Sequence, residues 1–290
     1  MSSMQRSTIV IATCAMWPGV SESDQLLVDE LTRRGHTVID RPWNDAPVSD
    51  FTDADMIVLR SNWDFHHHLD AWNTWLDDVE AGDVRLVNDA ELVRLHNTKA
   101  YLRHYQAAGL PTPTTLMTDT FDSEAVAAWM DDHGFDRIVC KPEWGASGHG
   151  VDLVTRDGIE AARQQWAAAD EQRPLLFQEF MPEIRSGEYA LVFFGETFSH
   201  AFRRKPTGGD FRVNTQYGGE VTLADLSNDA IDFGRRVVDA LPSPAAYARI
   251  DIVPSGSGFA LMEVEINEPS LAMSLDPASA ARFADSLEGQ

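Results

Sequence analysis

The chain opens on apolar runs of strand length separated by stretches with helical spacing. Residues 7–14 (STIVIATC) read as a strand, and residues 23–34 read as a helix carrying Leu26, Leu27, Val28 and Leu31. Gly35 stops that helix before a second strand at 36–40. The pattern continues with a strand at 55–60, a helix over about 69–79 and a short strand at 85–88. This alternation predicts a small parallel sheet over roughly the first 90 residues. A helix is expected from Asn97 to Gly109, with Asn97 or Thr98 near its N-cap, and the LPTPTT segment that follows reads as an extended connection. Another helix over about 123–133 leads into two strands joined by a glycine-rich loop, RIVCKPEWGASGHGVDLV, at 137–154. A helix at 158–169, the strand LLFQEF, a turn at 182–187 and a closing hairpin, YARIDIV and FALMEVEIN joined through PSGSG, complete the order. The expected organisation is α+β, with boundaries at 1–95, 96–178 and 179–290.

The glycine-rich hairpin carries the first chemical hint. Gly145, Gly148 and Gly150 let the backbone approach a ligand closely, and Lys141 precedes them on an extended residue before Pro142. A phosphate loop of the Walker type places its lysine after the glycines, and a dinucleotide fingerprint opens a helix with them. Neither pattern holds here, so the donors would be loop amides, with Gly145, Ser147 and Gly148 the candidates. A plain surface hairpin is the competing reading.

Composition shifts that balance. The formal net charge of −23 over 290 residues disfavours nucleic acid and anionic membrane as partners. Only Lys99, Lys141 and Lys205 among the 23 basic residues are lysines, which singles each of them out as a compact charge suited to phosphate. Cys14 and Cys140 lie in separate strands and read as reduced core residues. No apolar run approaches the ~20 residues needed to span a bilayer, so the expectation is a soluble, cytoplasmic protein.

Three further stretches concentrate polar groups. Arg60, Asn62, Trp63 and Asp64 fall at the carboxyl end of a strand, where open α/β sheets bind ligands. They are candidates to hold an amino-acid-like substrate, and the alternative is that Trp63 packs while Arg60 pairs with Asp64. The histidines at 66–68 point in different directions and do not suit one metal ion. Arg203, Arg204, Lys205, Arg212 and Asn214 crowd into a dozen residues, unexpected in so acidic a chain, and imply an anionic ligand. Arg203, Lys205 and Arg212 are the candidates for charge at the reaction centre, and Asn214 for substrate. In the last hairpin, alternation puts Glu263, Glu265 and Asn267 on one strand face with Asp251 on the partner strand, an oxygen-rich set suited to Mg²⁺.

The lysine before the glycine-rich hairpin, the QEFMPEI segment, the GDFRVN and GG segment and the closing Asp and EVEIN carboxylates together resemble the ATP-grasp superfamily over essentially the whole chain. The resemblance implies an ATP-grasp fold preceded by an α/β pre-ATP-grasp domain. It implies that Lys99 and Lys141 contact ATP phosphates, that Gln178, Glu179, Phe180 and Met181 hold adenine, and that Glu188 lies near the ribose. Arg212 would stabilise an acyl phosphate. Asp251 with Glu265 and either Glu263 or Asn267 would hold two Mg²⁺ ions, Mn²⁺ being the substitute. The family's Glu-x-Asn is usually followed by Pro-Gly, and EVEINEPS lacks it, which leaves both pairings open. Within the superfamily, VLRSNWDF, RRKPTGGDFRVN and MEVEINEPSL look most like the group containing the cyclo-ligase of D-cycloserine biosynthesis. The implied activity is ATP-dependent activation of an amino-acid-like carboxylate for attack by nitrogen, within one molecule or between two as in glutathione synthetases and RimK-like ligases. A kinase-like use of the same site and a nucleotide-binding regulator without turnover are the other readings. A homodimer is implied by family habit alone.

Overall fold

Buried β-branched runs set the first layer. In the computed structural model, which describes residues 6–145, 148–169, 173–207, 211–214 and 218–289, β1 (Thr8–Thr13) is buried at five of its six positions. It pairs in parallel with β2 (Thr37–Pro42) and β3 (Met56–Ser61), and β4 (Arg85–Val87) extends the sheet in the order β2-β1-β3-β4. Helix α1 (Glu22–Arg33) starts at Ser21, whose hydroxyl accepts from the Asp24 amide at 3.0 Å, and ends before Gly35 at φ 98°. A single turn, α2 (Ser49–Thr52), and α3 (Leu69–Ala81) cover the sheet, the latter through Trp72, Trp75, Leu76 and Val79.

The helix expected before Gly109 forms from Lys99 onward with Thr98 extended at its N-cap, and it is preceded by a shorter helix that the sequence pattern did not predict. Asp89 caps α4 (Ala90–His96) by accepting from the Leu92 amide at 2.8 Å, so Asn97 ends a helix. Thr98 is extended, one 3-10 turn spans Lys99–Tyr101, and only then does α5 (Leu102–Ala107) run. The break leaves Lys99 on a turn whose amide is tied to the Glu143 carbonyl at 2.8 Å.

A second sheet, in the order β5-β8-β6-β7, is antiparallel throughout: β5 (Thr115–Thr118), β6 (Arg137–Pro142), β7 (Asp152–Thr155) and β8 (Leu175–Glu179). Helices α6 (Ser123–His133) and α7 (Ile159–Ala167) pack on it around Phe121, Ile138 and Phe177. The third sheet runs β11-β10-β9-β12-β13, built from β9 (Glu188–Phe194), β10 (Thr197–Lys205), β11 (Glu220–Ala224), β12 (Tyr247–Ser255) and β13 (Gly258–Glu265). Helix α8 (Asn228–Asp239) covers one face through Phe233 and Val237. Helix α9 (Ser279–Glu288) packs Phe283 and Leu287 into a core shared with β1, β3 and β9, which joins the first sheet to the third. Asn88 reinforces this junction, donating to the carbonyls of Tyr247 and Ile266 and accepting from the Ala246 amide. Cys14 and Cys140 are both buried and unbonded to each other. No helix among the described residues is long and apolar enough to cross a membrane.

Candidate active site

A cavity of about 570 Å³ lies between the second and third sheets, within the range of small-molecule sites. Its floor follows from strand alternation. In β12 and β13, Arg249 stands opposite Glu265 and Asp251 opposite Glu263, so four charged side chains share one sheet face while Ile250, Ile252, Leu261 and Val264 fill the core on the other. The register slips after Asp251, a bulge placed beside the carboxylates. Asp251, Glu263 and Glu265 bring carboxylate oxygens within 4.8 Å of one another. Asn267, just past the end of β13, is buried; its amide nitrogen donates to Asn97 Oδ1 at 3.2 Å, while its Oδ1 has no protein partner. Three carboxylates and an orphaned amide oxygen form an oxygen-only donor set, which fits a hard divalent cation.

Five cations meet this acidic floor. Lys99 pairs with Glu263 at 2.7 Å. Burial opposes the Lys99 charge, yet Glu263 outweighs it and holds the ammonium above its usual range, while Lys99 and Lys141 hold Glu263 low against its own burial. Lys141 sits on β6 without such a close acid, and burial pushes it down to about 8. Arg249 chelates Asp251 at 3.0 and 2.9 Å and also contacts Glu265. Arg204 bridges Glu188 and Asp251 at 2.5 Å each. Arg212 lines the cavity from the segment after β10. Glu188 and Glu265 are raised because burial and neighbouring acids outweigh the arginines. Glu268 is raised furthest, to about 8, first by burial and then by Glu265.

Of the residues singled out in the sequence, Lys99, Lys141, Gly145, Gly148, Gln178, Glu179, Phe180, Met181, Glu188, Arg212, Asn214, Glu263, Glu265, Asn267 and Trp63 line this cavity. Phe180 and Phe211 meet edge to face at 6.1 Å beside Met181, Ile184 and Met262, giving the cleft one apolar end. Ser147 lies outside the described residues.

Arg203 and Lys205 are corrections. Alternation along β10 turns Phe202 and Arg204 into the cavity and their neighbours away from it. The Arg203 stem packs over Gly187, where a Cβ would lie 2.8 Å from it, and Lys205 is exposed at the strand end. Arg60, Asn62 and Asp64 are corrected as well. Arg60 is buried and pairs with Asp24 at 3.0 Å rather than with Asp64, and it donates to the Pro269 carbonyl at 2.5 Å. Asp64 accepts from Trp43 Nε1 and Asn44 Nδ2, both at 2.8 Å, and Asn62 is fully buried. Arg60 and Asp64 are thus tied into the protein, neither polar atom of the Asn62 side chain has a protein partner, and of the four only Trp63 lines the cavity. Arg204, Arg249 and Glu268 were not singled out as site residues. Arg204 and Arg249 were legible in principle from the same i, i+2 parity that marked the carboxylates.

Comparison with known proteins agrees with this layout. Residues 9–88 match the family model of the N-terminal domain of D-cycloserine synthetase DcsG, and residues 99–278 match that of the ATP-grasp domain of prokaryotic glutathione synthetase. A glutathione synthetase of Synechocystis sp. is 22% identical over 263 residues, covering 87% of this chain and 77% of that protein. The cycloserine biosynthesis protein DcsG of Streptomyces lavendulae is 27% identical over 260 residues, covering 84% and 86%. A crystal structure of D-cycloserine synthetase DcsG superposes with a TM-score of 0.87 at 22% identity, over 97% of this chain and 99% of that one. With the glutathione synthetase ATP-grasp model spanning more than half of its length, the chain belongs to the ATP-grasp family, as a ligase that forms a C–N bond at the expense of ATP.

Proposed function

We propose that the protein activates the carboxylate of an amino-acid-like substrate as an acyl phosphate, using Mg²⁺-ATP, and closes the C–N bond within the same molecule, as in cyclisation of O-ureido-D-serine. The observation that carries the reading is the opposition of Lys99 and Lys141 to the Asp251, Glu263 and Glu265 cluster across one cleft. Phosphoryl transfer asks for positioning and charge neutralisation, and this cleft offers both without an enzyme nucleophile. Similarity to DcsG at both the N-terminal domain and the whole-chain level favours ring closure over joining two molecules.

Roles follow from position. Met181 and Phe180, with Phe211 and Ile184, would wall the adenine at the apolar end, since the Glu179 amide is already used by the Thr114 carbonyl at 2.8 Å. Lys141 and Lys99 would take the phosphates, with the Gly145 and Gly148 loop above them. Asp251, Glu263, Glu265 and the free Asn267 Oδ1 would hold Mg²⁺, which would supply neutralisation of negative charge in the cleft. The substrate carboxylate then attacks the γ-phosphorus and ADP leaves. Arg204, Arg212 and Arg249 face the resulting acyl phosphate. The nitrogen attacks the acyl carbon, phosphate departs, and the nitrogen gives up its proton.

The test is substrate stoichiometry. O-ureido-D-serine alone with Mg²⁺-ATP is expected to release ADP with no second amine, while γ-glutamylcysteine with glycine releases none. Turnover that requires both halves of a pair would replace ring closure with intermolecular ligation. A phosphorylated product without a C–N bond would point to a kinase.

A further inference from the structure

The segment after the metal-binding strand is held at every peptide. Five consecutive carbonyls, from Asn267 to Leu271, each accept a hydrogen bond from a different side chain. Tyr247 Oη donates to Asn267 at 2.7 Å, Trp63 Nε1 to Glu268 at 3.2 Å, and Arg60 to Pro269 at 2.5 Å. Arg249 donates to Ser270 at 3.2 Å, and His200 Nε2 bonds Leu271 at 2.8 Å. Ala272 follows at φ 48°, a left-handed conformation that a non-glycine residue keeps only when its surroundings impose it. With its carbonyls turned to the protein, this ledge presents Asn267, Glu268, Ser270 and Ala272 to the cavity. The donors come from both the first and third sheets, which explains why Arg60 is buried so far from ligand.

One acid on the ledge has no ion-pair contact among the described residues. The Glu268 carboxylate lies outside the group of three whose oxygens approach within 4.8 Å of one another. Its cationic neighbours are committed elsewhere: Lys99 to Glu263, Arg60 to Asp24, and Arg249 to Asp251 and Glu265. Among the described residues no lysine or arginine forms an ion pair with it. A half-buried acid fixed on a rigid ledge without a cation is complementary to a cation brought by the ligand. The wall beside it is aromatic, Trp63 lining the cavity and meeting Trp17 edge to face at 6.2 Å, a surface that also favours ammonium over a neutral group.

We propose that Glu268 receives the ammonium group of the substrate, so that the cleft selects an amino acid over the corresponding simple carboxylate. This deepens the ligase reading and rests on it. Glu268 sets specificity and acts before chemistry, binding ground state and transition state alike, so its loss belongs in KM rather than kcat.

The experiment compares O-ureido-D-serine with 3-(ureidooxy)propanoate, the same molecule without its amino group, in Mg²⁺-ATP-dependent ADP release by the full chain. Wild type is expected to prefer the amino compound by about 30-fold in kcat/KM, the worth of one charge-assisted hydrogen bond. Glu268→Gln raises KM for that compound by about 30-fold, leaves kcat and the KM for ATP within about threefold, and brings the preference to within about threefold. Glu268→Asp restores most of the preference. Equal use of the two compounds by wild type, a comparison independent of how any variant folds, overturns the ammonium site and leaves the ligase reading standing. An unchanged preference in Glu268→Gln does the same. Absence of ADP with both compounds contradicts the ligase reading itself, and the site that rests on it falls too.

Discussion

Lys141 gives the sharpest quantitative test of the nucleotide site, because burial has brought its ammonium down to about 8. Below that pH the side chain is charged and can meet a phosphate; above it the charge is lost. A free lysine would keep its proton to about 10.4. From pH 7.5 to pH 9.5 the charged fraction in the nucleotide-free protein falls roughly 20-fold at about 1.36 kcal/mol per pH unit, close to 2 kcal/mol of ADP affinity. One charge-assisted hydrogen bond is worth about 1.5–3 kcal/mol, so the loss is of the size that removing the contact entirely would produce. ADP itself is fully ionised across this window, and the ligand contributes no slope. Calorimetric titration of ADP at pH 7.5, 8.5 and 9.5 should therefore show Kd rising by roughly 20-fold in wild type. Lys141→Arg, whose guanidinium stays charged throughout, should be weaker at pH 7.5 because its planar head fits a point-charge site poorly, and should keep only the smaller slope that ionisation of Glu268, raised to about 8 in the same cavity, contributes. A wild-type Kd that stays level, or a slope shared equally by Lys141→Arg, would refute the placement of Lys141 on the phosphates.

Two other perturbations separate chemistry from scaffold. Glu265→Gln should cut Mg²⁺-dependent turnover by at least about 100-fold, with ADP still binding in the absence of metal; a tenfold or smaller loss would remove Glu265 from the metal site. Arg60→Met leaves Asp24 buried without its partner and should lower unfolding free energy by about 3–5 kcal/mol in urea titration, whereas a loss under about 1 kcal/mol would mean the pair is dispensable.

The parts of the site that could be read in the sequence are those governed by period-two geometry. Asp251, Glu263 and Glu265 declared themselves because apolar residues occupy the intervening positions and only one face of a strand can be acidic. The same parity should have chosen Arg204 over Arg203 and Lys205, since Phe202 and Arg204 share a face. Counting basic residues in a cluster, rather than assigning them to faces, drew attention to the wrong two. Arg249 was hidden by the same omission, two residues before Asp251. Helix α4 was signalled by Asp89 ahead of an apolar run, yet the stronger-looking start at Asn97 masked it. The partners of Arg60 and the placing of Glu268 carry no local signal. Their roles arise because a ledge past the end of β13 meets the first sheet some 200 residues earlier in the chain, and no spacing rule reports a contact of that kind.

The central claim is that a substrate carboxylate becomes an acyl phosphate in the cleft between the second and third sheets, and oxygen isotope transfer tests it most directly. With O-ureido-D-serine labelled with ¹⁸O in its carboxylate, the account predicts one ¹⁸O atom in each inorganic phosphate released, matched by ADP and by the C–N-bonded product. Phosphate released without the label, at the same rate as ADP, would contradict it.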